Sequence, residues 1–281
     1  MGPVRLIATD LDHTLLRSDR TVSERTVRAL DAVRAAGVQV VPATARNFRG
    51  VRAVNGQTRF AGWALCGNGA CGVRLGDSEV LFSVEIDATT LSRVVDTVRG
   101  RVPDVRFAAV RDLGARFLAE DGYAGLAATV DHSRDPATME RVDTGTLVGA
   151  PAGKLVFRHP DVPADVLFAE VADLLGGDGN VEVTLSGAPF VEVMAAGVDK
   201  ASGLARLCSH LGVDRSEVLA LGDGLNDLGM LRWAGHGVAV ANAEPAVLAA
   251  ADGVTAAADE DGVALVLEQV TGSAAGPRRS S

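Results

Sequence analysis

The sequence predicts an α/β protein: a parallel sheet covered by helices on both sides, with an α+β unit inserted into it. Three observations carry this. Near both ends of the chain, continuous apolar runs alternate with amphipathic helical patterns. Such runs belong to strands buried on both faces, as in parallel sheets. Between about residues 80 and 190, strand-like runs crowd together without a helix after each, which is the pattern of an antiparallel α+β unit. The alternating pattern then resumes, so the middle reads as an insertion.

In chain order, Val4–Thr9 is apolar and β-branched, a strand. Thr21 or Ser23 can cap a helix whose apolar positions include Val27, Leu30 and Val33, and Gly37 stops it. Val38–Val41 is the next strand. In the middle, Val80–Val84, Val105–Val110 and Lys154–Arg158 read as strands. Leu91, Val94, Val95 and Val98, and later Leu167, Val171 and Leu174, mark two helices. Ala201, Leu204, Ala205, Cys208 and Leu211 share one face of another. The strand-like "EVLALGD" and "GVAVAN" follow, and a last helix carries Val263, Val266, Leu267 and Val270. The expected division is a Rossmann-like core of residues 1–80 and 190–272, an α+β insert of 81–189, and a flexible tail of 273–281.

Composition narrows the partners. The 281 residues are 47% hydrophobic, enough for a substantial core, and carry a net charge of −9. Nucleic acid and anionic membranes want dense Lys and Arg, so neither is expected as a partner. No segment approaches the ~18 apolar residues of a membrane span, and Asp10 and Asp12 interrupt any signal-like N-terminus. Cys66, Cys71 and Cys208 are odd in number and lack metal-type spacing, so buried thiols in a reducing cytoplasm are expected. Oligomeric state is left open.

Chemistry gathers at strand ends. Ligands of open α/β sheets bind there. Asp10 and Asp12 follow the first strand, and "GDGLND" places Asp223 and Asp227 after Val218–Leu221. Two unit charges ~4 Å apart repel by about 4 kcal/mol at an effective dielectric of ~20. Several such pairs rival the whole stability of a domain, about 5–15 kcal/mol. Either some acids are protonated, or they point apart, or a divalent cation sits among them. Oxygen-only donors favour Mg²⁺, which binds one or two carboxylates together with a substrate phosphate. Thr44 and Arg46, after the second strand, and Lys200, at a helix start, are candidate phosphate donors.

"DLDHTLL", "TAR", Lys200 and "GDGLND" occur in the order and approximate spacing of the haloacid dehalogenase superfamily of phosphatases. With "GNGA", "FVEVMAAGVDKASGL" and the ending from "VAVANAEP" to "DEDGV", the chain most resembles its Cof-like sugar-phosphatase group over nearly all of residues 4–270. In that group a cap is inserted between the second and third motifs. The resemblance implies that Asp10 is the nucleophile, forming an aspartyl-phosphate, and Asp12 the general acid and base. It implies Mg²⁺ held by Asp10, the backbone carbonyl of Asp12 and Asp223, with Asp227 in support. Thr44 and Lys200 would bind the phosphoryl oxygens, and Asn226 would orient its neighbours. Arg46, Asn68 and Asn226 are candidate substrate contacts. The implied substrate is a small phosphorylated metabolite, with a sugar phosphate as the example. A phosphomutase, or a phospho-acceptor module of the response-regulator kind, shares the acidic cluster and is the rival reading. The insert and Asp12 argue against the module.

Two positions depart from the family pattern. His13 and Ala45 stand where the family commonly has Gly. "GNGACG" matches the dinucleotide pattern G-x-G-x-x-G, but strand-like residues follow it where that fingerprint requires a helix, so a tight turn is expected. His132, His159, His210 and His236 are expected as surface or satisfied packing residues. Arg111, Arg116 and Arg134 are expected as surface charges rather than anion contacts.

Overall fold

The computed structural model describes residues 3–132, 134–177 and 179–274. Five parallel strands form the central sheet, in the order Gly253–Thr255, His236–Val240, Val218–Gly222, Leu6–Thr9, Gln39–Pro42. The Leu6–Thr9 strand is wholly buried and pairs on one side with Val218–Leu221 and on the other with Gln39–Pro42. Asp10 and the "GDGLND" segment therefore emerge side by side. Helices Glu24–Ala35 and Gly262–Ala274 pack against one another. The Ser23 hydroxyl caps the first by accepting from the Thr26 N–H, and Leu30 and Val33 are buried.

An antiparallel hairpin extends this layer. Trp63–Cys66 runs beside the second strand through an Ala43–Leu65 bridge, then turns into Cys71–Arg74. The turn is "GNGA", so the dinucleotide pattern opens a strand and not a helix. All three cysteines are buried free thiols.

The middle of the chain builds a separate, six-stranded, mostly antiparallel sheet, ordered Val181–Thr184, Val191–Ala195, Lys154–Arg158, Arg106–Arg111, Arg116–Ala119, Glu140–Arg141. Helices Ala88–Arg101 and Ala164–Gly176 share a second apolar core with it. Strand membership shifts the expected edges. Val80–Ser83 pairs with Cys71–Val73 in the hairpin layer, whereas Val191–Ala195 belongs to the six-stranded sheet. In the Ala164–Gly176 helix, Leu175 is buried and Leu174 half exposed. Two turns from Leu167, the stripe continues at the eighth residue rather than the seventh. The last helix reaches Ala274, through the first two residues of the expected tail, and 275–281 lie outside the described residues.

Candidate active site

The acidic residues meet where the first and third core strands end. The Asp10 N–H donates to the Leu221 carbonyl across the sheet at 2.9 Å. After Asp10 the chain makes a tight turn, closed by the Leu16 N–H on the Leu11 carbonyl at 2.7 Å. The turn requires His13 at φ +58°, in the left-handed region. This is the physical reason a glycine suits the position, since a Cβ is strained there. The Asn242 side chain holds the turn by donating to the His13 carbonyl at 2.8 Å.

Lys200 enters from the helix Lys200–Leu211. A capping box fixes that helix start: the Asp199 carboxylate accepts from the Ser202 N–H at 2.7 Å, and the Ser202 hydroxyl accepts from the Asp199 N–H at 3.0 Å. The helix approaches the "GNGA" turn so closely that a Cβ on Gly69 would stand 2.2 Å from the Asp199 carbonyl oxygen. Fully buried, Lys200 donates to Asp10 Oδ1 and Asp227 Oδ1, both at 2.6 Å. The second Asp227 oxygen accepts from the backbone N–H groups of Asp223 and Gly224 at 2.9 and 3.0 Å. Asp227 thus pins the loop that presents Asp223, whose own Oδ1 takes the Thr14 hydroxyl at 2.6 Å.

Asp10, Asp223 and Asp227 each offer an oxygen within 4.8 Å of the others. Burial pushes the Asp10 carboxyl well above its usual range; Lys200 opposes this, and the neighbouring carboxylates add to it. Burial likewise pushes Asp223 up to about 6, against the Thr14 hydrogen bond. The donor set is all oxygen and carries more negative charge than Lys200 offsets. It therefore fits a hard divalent cation.

Asp12 is held apart from this group. Arg46 forks onto it, Nε to Oδ2 at 2.7 Å and Nη2 to Oδ1 at 2.5 Å. Burial raises the Asp12 pKa, but the fork outweighs it and holds the carboxyl below its usual value. A metal role for Asp12 therefore rests on its backbone carbonyl, as the resemblance implies. Thr44 is buried, and its hydroxyl oxygen accepts from the Arg46 N–H at 3.1 Å, which leaves the O–H to donate elsewhere. Asn68, at φ +55° in the tight turn, accepts from the Asn226 amide at 3.0 Å.

Asp12, His13 and Arg46 line a cavity of about 330 Å³ whose far wall is the six-stranded sheet and its loops. That wall includes residues that sequence reasoning did not single out. Lys154 and Glu192 form an ion pair at 2.9 Å, and Glu192 also accepts from Asn68 at 2.7 Å. His132 stacks on Phe190 at 4.4 Å, and its Nε2 hydrogen-bonds the Tyr123 hydroxyl at 2.9 Å. Arg111 and Arg134 are not surface charges. Both are buried on backbone carbonyls, Arg111 on Leu147 and Pro151, Arg134 on Gly114 and Ala115. Each buried guanidinium thereby finds acceptors for its N–H donors. Arg116 does stand at the surface, forked onto Glu140.

This geometry of aligned motifs meets its match in sequence comparison: residues 7–267 fit the family of haloacid dehalogenase-like hydrolases. The chain belongs to that family. Among its relatives, a phosphoglycolate phosphatase of Methanopyrus kandleri is 29% identical over 94% of this chain and 96% of its own length. A 5-amino-6-(5-phospho-D-ribitylamino)uracil phosphatase of Bacillus subtilis is 28% identical over 93% of each. A solved phosphatase of the superfamily from Bacteroides thetaiotaomicron superposes with a TM-score of 0.80 at 27% identity, over 95% of both chains. This haloacid dehalogenase-like hydrolase is a phosphoric monoester hydrolase. Its antiparallel unit lies between Thr44 and Lys200, which is the Cof-like arrangement.

Proposed function

We propose that this hydrolase cleaves a small phosphorylated metabolite, of sugar-phosphate size, through an aspartyl-phosphate on Asp10. The observation that carries the reading is the shared lysine: Lys200 bridges Asp10 and Asp227 at 2.6 Å each, beside Asp223. Asp10 attacks phosphorus in line with the leaving oxygen, while the Lys200 ammonium offsets charge on the phosphoryl oxygens and the Thr44 hydroxyl donates a hydrogen bond to one. Asp12 delivers a proton to the leaving alcohol and later withdraws one from the hydrolytic water. In the resting arrangement Arg46 occupies both Asp12 oxygens, so one of them leaves Arg46 before it carries the proton.

Asp10, Asp223 and the Asp12 carbonyl would hold Mg²⁺, with Asp227 supporting through the backbone it pins. The ion would supply Lewis-acid polarisation of the phosphoryl group. The six-stranded unit acts as the cap, and its cavity receives the leaving group. No described helix is long and apolar enough to cross a membrane.

The test is Mg²⁺-dependent release of inorganic phosphate from a generic aryl phosphate. Asp10→Asn is expected to lose about 10³-fold or more in kcat, since it removes the nucleophile. Asp12→Asn is expected to lose about 10²-fold or more. Full activity in Asp10→Asn overturns the mechanism. An isomerised sugar phosphate in place of free phosphate marks a mutase.

A further inference from the structure

Three consecutive carbonyls of the "TAR" segment are each held by a hydrogen bond, and the middle one is held from the other sheet. The Thr44 carbonyl accepts from the Asn68 N–H at 2.9 Å, and the Arg46 carbonyl from the Gly67 N–H at 2.8 Å. Between them, the Ala45 carbonyl accepts from Lys154 Nζ at 2.8 Å. The same ammonium is paired with Glu192 at 2.9 Å. Glu192 in turn accepts from the Asn68 side chain, and Asn68 accepts from Asn226 of the "GDGLND" loop.

The register explains how two strands supply this pair. Glu192 stands opposite Val156, two residues beyond Lys154, so both side chains leave the same face of the sheet as diagonal neighbours. Glu192, Asn68 and Lys154 are 2, 2 and 8% exposed. A buried ion pair is weak evidence for net stability, because desolvation offsets its attraction. What such a pair does well is fix a register, and here it lands between two residues assigned to the phosphoryl group and its proton carrier.

We propose that Lys154 and Glu192 are positioning residues for phosphoryl transfer, setting the Thr44–Arg46 and Gly67–Asn68 loops from the cap sheet. The proposal rests on the phosphatase reading for its catalytic consequence, but not for the positioning itself. The cap is then more than a cover over the leaving group, since the phosphate loop is not fully held without it. Neither residue needs to touch substrate for this.

The test uses the full chain with two variants. Lys154→Met/Glu192→Leu removes both charges together, so no buried ion is orphaned, and Glu192→Gln keeps the volume and removes one charge. Amide hydrogen exchange at residues 44, 46, 67 and 68 is compared with that of Leu219–Leu221 in the core sheet. Phosphate release from an aryl phosphate with Mg²⁺ gives kcat and KM. We expect exchange at the four loop amides to rise about tenfold or more while the core-sheet amides stay protected. We expect kcat to fall about tenfold or more with KM changed less than about threefold, as for a misplaced but intact catalytic set. If the double variant does not fold, Glu192→Gln decides, with the same pattern at smaller size. Unchanged loop exchange, or kcat within about twofold of wild type, overturns the proposal. A change confined to KM overturns it too, and makes the pair a substrate contact. Wild-type protein that releases no phosphate, together with loops that loosen in the variants, refutes the phosphatase reading and leaves the positioning standing.

Discussion

Two buried lysines organise this molecule, and they differ in the charge around them. Lys154 meets one carboxylate, Glu192, and the pair's other hydrogen-bond partners among the described residues, Asn68, Ser186 and the Ala45 carbonyl, are neutral. Lys200 meets two carboxylates, with the oxygens of a third, Asp223, close by. The first centre is balanced and the second has a surplus of acid. A balanced pair holds geometry. A surplus asks for a further cation; burial drives Asp10 and Asp223 up from their usual pKa range, and the neighbouring carboxylates add to the rise. The difference separates a structural tie from the proposed reactive centre on charge count alone.

The sharpest way to break that comparison is to remove each ammonium. Lys200→Met orphans two carboxylates and should lower unfolding free energy by about 3–5 kcal/mol in denaturant melts at neutral pH. Added Mg²⁺ should restore part of the loss. Lys154→Met orphans one carboxylate and should cost less, with no response to Mg²⁺. An equal or larger loss in Lys154→Met would show that charge surplus is not what distinguishes the two sites.

Cation binding alone is the next test. If the acidic surplus is a divalent site, Mg²⁺ at about 100 times its Kd should raise stability by about 2.7 kcal/mol, and chelation should reverse it. Asp223→Asn should weaken or abolish the rise, because it removes a negative charge from the donor set without touching Lys200. The double variant at Lys154 and Glu192 should keep it. Thermal melts with and without Mg²⁺ check all three.

The same contrast explains what could be read from the chain. The reactive centre was legible because its residues follow apolar strands in short local motifs, and an open parallel sheet brings such strand ends together. Asp10, Asp223, Asp227 and Lys200 indeed converge. The alternation of strands and helices made the core legible in the same way. The structural tie was not legible. Lys154 heads an apolar strand, where a lysine reads as a solvated end, and its partner lies 38 residues away on another strand. Arg111 and Arg134 read as surface charges because nothing local shows the distant carbonyls they donate to. His132 was placed among packing residues, and its position on the cavity wall depends on the stacking of Phe190, far along the chain. Tertiary pairing leaves little mark on sequence periodicity.

His132 offers an effect that appears only in acid and is confined to the cap. Burial, aided by the Arg158 charge, pushes its pKa down to about 3, with Asp131 opposing. The folded state therefore takes up this proton later than the unfolded chain, in which a histidine titrates near 6.5. Between those values the unfolded state binds more protons, so stability falls as pH drops from about 6.5 toward 3. The slope from this one group is at most about 1.4 kcal/mol per pH unit. His132→Gln, which can still pair with the Tyr123 hydroxyl, should flatten the acid limb of a stability–pH curve. An unchanged limb would mean that Asp131, Arg158 and Lys154 around it set the acid response instead.

The smallest effect concerns the turn after Asp10. His13 sits at φ +58°, a conformation that costs an L-residue about 1–2 kcal/mol and glycine almost nothing. Glycine gives back about 0.5–1 kcal/mol through the entropy of the unfolded chain. His13→Gly should therefore be stabilising, by about 0.5 kcal/mol. The side chain also lines the cavity beside Asp12, so the two roles separate by measurement. If His13 only fills the turn, the variant gains stability with kcat and KM unchanged. If it meets the leaving group, KM rises for substrates that fill the cavity and stays constant for a small aryl phosphate. A loss of stability would place the worth of His13 in contacts of its ring, against the backbone argument.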